Sequence, residues 1–284
     1  MRPSAIATLA TGSAISDLTL FLFTLELWNA SPPPVYLLCD SAIASKKFNY
    51  KGTIHIQKGL DSYSGLTRAQ MERASGKTQN QWTDFMLEKT TLLEWALSEQ
   101  PNVLFCDCDI CFMGPVFEIP EGATLAVSQH MIRPQDEARF GTYNGGMIWV
   151  SQQAQIDLWR TATKTSRFFE QAAIEDVAAA TPKASLCQIP RQENYGWWRL
   201  WQGIKPANEL MCEWSIRSRS NNSGIMIGNQ PLGSIHTHFG EVRDAATTEY
   251  NKWVLNWLSK LTMHPPAQQL LGFIHGLHPW MLLD

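Results

Sequence analysis

Four consecutive apolar residues, Val103 to Cys106, run into Asp107-Cys108-Asp109, and the stretch closes on Gly114-Pro115. Such an apolar run belongs inside a sheet, and in an extended chain the side chains at i and i+2 share a face. Asp107 and Asp109 are therefore expected side by side at the end of a buried strand. Two carboxylates held together out of water repel each other and lose hydration, so they require a cation or strong donors. A hard divalent ion that itself holds a phosphorylated ligand is the commonest physical answer.

The flanking segments say what kind of sheet this is. Ser4 to Leu9, Val35 to Cys39 (ending in Asp40) and Thr53 to Ile56 read as strands. Between the first two, Leu18, Phe21, Leu22, Leu25 and Trp28 fall on one helical face, with Ser16 or Asp17 as the cap. Thr83 is expected to cap a second helix with Met86, Leu93 and Leu97 in its stripe; Lys89, midway along, reads as a solvated position. Alternating strands and helices predict an α/β fold with a central, mostly parallel mixed sheet flanked by helices. Ligands bind beyond the carboxyl ends of such strands, where the two aspartates lie. The loop Ala10-Thr11-Gly12-Ser13 sits where α/β folds place a nucleotide. It has neither glycine pattern of the known phosphate loops, so the phosphates are not expected there. Residues 57 to 81, polar and glycine-containing, read as a mobile active-site loop, with a short helix after Thr67.

In the second half, Ala123 to Ser128 is a strand, and Asn144-Gly145-Gly146 opens another that runs to Ser151. The paired glycines mean either that something approaches the backbone or that the strand bulges. Helices are expected over 151–163 and 166–180, the second carrying Glu170, Gln171, Glu175 and Asp176. Leu186 to Ile189 and Ile225 to Ile227 read as short strands. Ser234 to Phe239 is another, with His236 and His238 on one face. Tyr250, Trp253, Trp257 and Leu261 mark a further helix before an apolar tail.

Composition removes some classes. A net charge of −3 gives no basic field for a nucleic-acid backbone. Asp17 and Glu26 break up the N-terminal apolar stretch, and no apolar run approaches the ~20 residues of a spanning helix. The expectation is a soluble, cytoplasmic protein, peripheral to a membrane at most. Cys106, Cys108 and Cys111 raise a rival reading, a non-enzymatic thiolate-metal protein. Their spacing is not that of a structural zinc half-site, and strand alternation turns Cys106 and Cys108 away from the aspartates, which favours thiols in a core. Trp197, Trp198 and Trp201 are candidate sugar platforms, with core packing as the competing account.

With these residues in hand, the chain resembles GT-A-fold glycosyltransferases with a DxD motif, most nearly glycosyltransferase family 8 and its relatives. Thr8 to Gly12 is similar to the family's first strand and nucleotide loop, and Leu104 to Ile110 to its strand ending in DxD. Asn144-Gly145-Gly146 resembles its Asn-x-Gly step. Glu170-Gln171 resembles its Asp-Gln helix with Glu for Asp, and His236 to Gly240 its late histidine strand. Glu241-Val242-Arg243 stands where the family has Lys-Pro-Trp.

The resemblance implies a single GT-A domain over 1–284: a nucleotide-binding half (1–112), an acceptor and sugar half (113–240) and a helical extension (241–284). It implies a nucleotide-sugar donor, UDP-linked, and a glycan or other hydroxyl acceptor. Asp107, Asp109 and His238 or His236 would hold Mn2+ or Mg2+. Thr8, Ala10, Thr11, Gly12, Asp40, Lys89, Asp107, Cys108, Asn144, Gly145 and Gly146 would line the donor. Gln171 would lie near the anomeric carbon in a retaining reaction, which is slightly favoured; Glu170, Glu175 or Asp176 would act as base in an inverting one. A sugar-nucleotide nucleotidyltransferase is the enzymatic alternative. Against it, Ala10 to Ile15 lacks the Arg and Lys its signature needs.

Overall fold

The computed structural model describes residues 1–73, 80–217 and 224–279. In chain order it runs β1 (Ala5–Ala10), α1 (Ile15–Trp28), β2 (Val35–Cys39), α2 (Ser41–Ala44), β3 (Ile54–Lys58), α3 (Arg68–Glu72), α4 (Gln81–Glu99) and β4 (Val103–Cys106). Next come β5 (Ile110–Phe112), β6 (Leu125–Gln129), α5 (Pro134–Phe140), β7 (Tyr143–Val150), α6 (Gln153–Thr163), α7 (Phe169–Ala180) and β8 (Leu186–Ile189). The remainder is β9 (Tyr195–Gly196), α8 (Trp198–Gln202), α9 (Ala207–Cys212), β10 (Trp214–Arg217), β11 (Gly224–Ile227), β12 (Gln230–Pro231), β13 (Ser234–His236), α10 (Ala245–Ser259) and α11 (Pro265–Leu277).

A seven-stranded sheet in the order β3-β2-β1-β4-β7-β6-β8 forms the centre. β3, β2, β1 and β4 are mutually parallel; β7 runs against both its neighbours, and β8 is parallel to β6. Strands covered on both faces must be almost wholly apolar, as β2 and β4 are, and β1 apart from Thr8. Alternation along β1 sends Ala5, Ala7 and Leu9 into a core with α4, α6 and α7. Ile6 and Ala10 enter the opposite core, with Leu18, Phe21, Leu22 and Leu25 of α1. Burying each of those four side chains contributes roughly 1.5–3 kcal/mol.

A small sheet, β5-β13-β9, sits beside the carboxyl edge of this layer, and its register places His236 opposite Ile110. One chain segment therefore belongs to two sheets. The strand expected to carry the two aspartates at its end stops short of them: β4 ends at Cys106, the chain turns through Asp107 to Asp109, and β5 continues in the small sheet. The aspartates stand on a turn, closed by the Ile110 N–H on the Asp107 carbonyl at 3.1 Å, and not on an alternating strand.

Other boundaries also differ from the sequence reading. Asn80, not Thr83, caps α4, its Oδ1 accepting the Thr83 N–H at 2.9 Å. Ala14 precedes α1 without a side-chain cap, which frees Asp17 for another contact. α7 starts at Phe169 rather than Ser166, and β13 stops at His236, leaving His238 beyond the strand. Of the polar segment, Thr67 and Gln70 form a capping box on α3, Met71 is buried, and Tyr63 packs on Phe85; this part belongs to the core. Residues 74–79 of the expected mobile loop lie outside the described residues. No described helix is long and apolar enough to cross a membrane.

Candidate metal centre

The two-sheet turn and the end of β13 bring together Asp107, Asp109 and His236, whose ligand atoms lie within 4.8 Å of one another. His236 Nε2 is 3.1 Å from Asp109 Oδ1 and 3.9 Å from Asp107 Oδ2. His238 meets Asp109 from the solvent side, Nε2 to Oδ2 at 3.3 Å, while its Nδ1 lies 2.9 Å from Asp17 Oδ2. Of the two histidines, the buried one completes the group of three, and the other brackets it. Asp109's charge, against the opposing effect of burial, lifts the His238 pKa to about 10. Burial works to protonate Asp109, but His236 and His238 hold its carboxyl well below the usual range. Asp107 goes the other way: burial raises it further than Lys89 lowers it.

Lys89 is 2 % exposed, so the reading of a solvated helix position is wrong. Its ammonium has three protons and meets three acceptors: Asp107 Oδ1 at 3.1 Å, Glu170 Oε1 at 2.9 Å and the Gly145 carbonyl at 3.0 Å. Desolvation pulls its pKa down, but Asp107 and Glu170 more than reverse that. Around the turn, Asp17, Asp107, Asp109 and Glu170 face Lys89 and the protonated His238. The excess negative charge, and a donor set of two carboxylates and an imidazole, suit a divalent cation.

Both glycines of Asn144-Gly145-Gly146 are explained by crowding. A Cβ on Gly146 would lie 2.2 Å from His236 Cε1 and 2.7 Å from Asp107 Oδ2; on Gly145 it would lie 2.9 Å from Glu170 Oε1. The pairing of β6 with β7 also shifts register here, so the step is a bulge as well. Phe169, a non-glycine residue at φ 44°, turns the chain into α7 so that Glu170 is delivered to Lys89. Such strain costs of order 1–3 kcal/mol and persists where surrounding contacts enforce it.

The other expected site residues are distributed as follows. Gln171 is tied to backbone, its Nε2 donating to the Phe140 carbonyl at 2.8 Å and its Oε1 accepting the Gly145 N–H at 3.3 Å. Glu175 is held by Arg167 and by the Thr142 N–H. Asp176 is exposed and is not brought to the cluster. Thr8 and Ala10 are buried in β1, and Thr8 Oγ1 has no hydrogen-bond partner. Thr11 Oγ1 is 3.0 Å from Ser13 Oγ. Asp40 binds the Gly12 N–H at 2.8 Å, the Ile43 N–H at 2.9 Å and Ser64 Oγ at 2.7 Å, so its carboxylate ties the first loop to β2. Cys106 packs with α1's core and Cys111 with the core of α10 and α11. Burial pushes the Cys106, Cys108 and Cys111 thiols up, keeping them protonated. The only metal-capable group among the described residues contains no cysteine, which counts against the thiolate-metal reading.

Several contributors escaped the sequence reading. Asp17 anchors His238. Trp198, one of the expected platforms, lies edge-on to His236 at 5.0 Å and is 7 % exposed, so it supports the site from within. Trp197 and Trp201 pack against the core of α10 and α11. Asn194, wholly buried, meets His236 Nδ1. Trp198 stands out in the sequence only as part of a tryptophan cluster, and Asn194 not at all; chain closure brings both to His236.

No family model matches the sequence, and no curated protein matches it. Among solved structures, mouse xyloside xylosyltransferase 1 in its apo form superposes with a TM-score of 0.50 at 10% identity, covering 82% of this chain and 97% of that one. The glycosyltransferase GlyE of Streptococcus pneumoniae gives a TM-score of 0.45 at 14% identity over 71% of this chain and 48% of that one. This chain thus spans about half the length of GlyE. At 10% identity the likeness to the xylosyltransferase concerns the fold alone, a helix-flanked mixed sheet of the GT-A type.

Proposed function

We propose that the chain is a metal-dependent glycosyltransferase. It takes a sugar from a nucleotide-diphosphate donor, UDP-linked, and passes it to a hydroxyl of a glycan or other acceptor. One observation carries this: two carboxylates and a buried imidazole converge at the carboxyl edge of the parallel strands of a GT-A sheet, with surplus negative charge. A divalent cation bound there, Mn2+ or Mg2+, would neutralise the diphosphate as it leaves. Asp107, Asp109 and His236 would hold it. Lys89 keeps Asp107 aimed at the turn and ties it to Glu170.

A retaining reaction is favoured over an inverting one. Inversion needs a free carboxylate as base. Glu170 is locked to Lys89, Glu175 to Arg167, and Asp176 faces solvent. Gln171, next to Glu170 and over Gly145, is the side chain proposed to face the transferred sugar.

The test is a thermal-shift screen of nucleotide sugars and nucleoside diphosphates with and without Mn2+, followed by transfer assays. Stabilisation that needs both metal and nucleotide is expected, and it should vanish in Asp109→Ala. If no nucleotide stabilises the protein with Mn2+ present, the proposal fails.

A further inference from the structure

We infer that Asn194 is a positioning residue: it fixes the proton of His236 on Nδ1 and so leaves the Nε2 lone pair to face Asp107 and Asp109. The inference rests on the metal reading of that site. Two backbone groups near it have a polarity that is not a matter of choice.

The Gly146 N–H can only donate, and it reaches Asn144 Oδ1 at 2.9 Å. That end of the Asn144 amide is therefore oxygen, and the other, Nδ2, faces His130 Nε2 at 3.4 Å. At the far end of the chain of contacts, the Gly141 carbonyl can only accept. It lies 3.2 Å from His130 Nδ1, which must carry hydrogen. Burial holds the His130 pKa down at about 4, so the ring is neutral and its Nε2 is a bare acceptor. It takes the Asn144 N–H, and the two ends agree on the same amide orientation.

Asn144 Oδ1 also contacts Asn194 at 3.0 Å, so the Asn194 atom there must be a donor, Nδ2; its second hydrogen points to Ser128 Oγ at 3.0 Å. The remaining Asn194 atom, Oδ1, is then left facing His236 Nδ1 at 3.1 Å. An amide oxygen only accepts, hence Nδ1 carries the proton. Nε2 is the nitrogen that faces the carboxylates, 3.1 Å from Asp109 Oδ1. The opposite tautomer would set a lone pair against Asn194 Oδ1 in a residue that is 0 % exposed. A buried pair left unsatisfied in this way is disfavoured roughly ten- to hundred-fold. Trp198 against the ring and Gly146 beneath it fix the imidazole plane.

The experiment has a metal-free arm and a metal arm. Nitrogen-15 spectra of histidine-labelled, metal-free protein from pH 6 to 9 should show His236 Nδ1 protonated throughout. A neutral ring with a bare Nδ1 overturns the inference, and this readout needs no variant to fold. In the second arm, free Mn2+ is counted by electron paramagnetic resonance. Folded Asn194→Leu should bind Mn2+ about 10–100-fold more weakly than wild type. Asn194→Asp, which keeps an oxygen toward Nδ1, should bind more tightly than the leucine variant. Wild-type affinity in folded Asn194→Leu also overturns the inference. Should wild type bind no Mn2+ at all, it is the metal reading that fails, and the metal-free spectra still decide the role of Asn194.

Discussion

Two buried cations sit in different parts of this molecule under opposite terms. Lys89, on α4 beneath the carboxyl edge of the large sheet, meets two carboxylates and a carbonyl, and these hold its charge firmly. Arg199, on α8 beside the small sheet, is 3 % exposed and has no carboxylate within ion-pair distance among the described residues. Its guanidinium donates to the Gln129 carbonyl at 2.8 Å and to the Met131 thioether, lies over the Tyr195 ring, and leaves Nε unsatisfied. Burial lowers its pKa to about 10, so it stays charged at neutral pH. The contrast separates charge that a site requires from charge that packing merely tolerates. Lys89 is one part of an electrostatic unit whose other parts would be left stranded without it. Arg199 would strand only a carbonyl and a thioether.

The largest effect should come from breaking the paired side. Lys89→Met leaves the buried Glu170 without its ion partner and takes from Asp107 its nearest cation, which costs about 3–5 kcal/mol. Urea denaturation in metal-free buffer measures it. Adding Glu170→Gln should recover part of the loss, because one stranded charge is then gone. A loss below about 1 kcal/mol for the single variant would show that the network is not the unit described here.

His130 lies between the two regions and takes a third course: it gives up its charge. Its pKa falls from 6.5 to about 4, mainly through burial, with Arg199 pushing in the same direction. The sign follows from proton binding. Between these two values the unfolded chain binds a proton that the folded chain does not, so unfolding is favoured as pH falls. The stability is complete above pH 6.5 and declines through pH 4, by about 3 kcal/mol for this group. Urea midpoints from pH 7 to 4 for wild type and His130→Gln should diverge over that window, the variant showing the shallower slope. Parallel curves would remove His130 as the cause.

How far these features could be read from sequence differs between the two regions. The α/β class followed from apolar strands alternating with helical stripes, because parallel strands covered on both faces carry their burial in the sequence itself. The meeting of Asp107 with Asp109 was legible too, although it arises from a turn between two sheets and not from strand alternation. Lys89 was legible in principle: Phe85, Met86, Leu92, Leu93 and Ala96 are the buried face of α4, and position 89 falls on it. A lysine on such a face is the exception, because its charge is buried only where carboxylates meet it. Asn194, Asp17 and Arg199 left no such trace. Their partners lie dozens of residues away or more and meet them only once the small sheet closes on the large one.

A smaller effect tests how tightly the paired region is packed. Gly146→Ala places a Cβ against His236 and Asp107, whereas no described residue outside the adjoining chain lies within 4 Å of where a Gly224 Cβ would be. We expect Gly146→Ala to weaken Mn2+ binding about ten-fold, or roughly 1.4 kcal/mol, and Gly224→Ala to leave it unchanged. Calorimetric titration of both variants would show it. Equal affinities would mean that the ligands can shift around the added methyl, and the centre would then be less rigid than the Lys89 network implies.

The smallest effect belongs to Arg199, and its sign is the sharpest test of the contrast. Arg199→Met removes a hydrogen bond to the Gln129 carbonyl, whose loss costs about 1–3 kcal/mol. It also removes a desolvated charge that no carboxylate offsets, a penalty of comparable size. Because the two oppose each other, the net change in urea stability should stay within about 1 kcal/mol of wild type, far from the Lys89 result. A second readout has a definite direction. Arg199 lowers the His130 pKa, so its removal lets His130 protonate more readily in the folded state. The folded and unfolded values then move closer together, and the acid loss of stability shrinks. If Arg199→Met instead costs as much as Lys89→Met, the guanidinium has a partner of equal weight, and both buried cations belong to the same class.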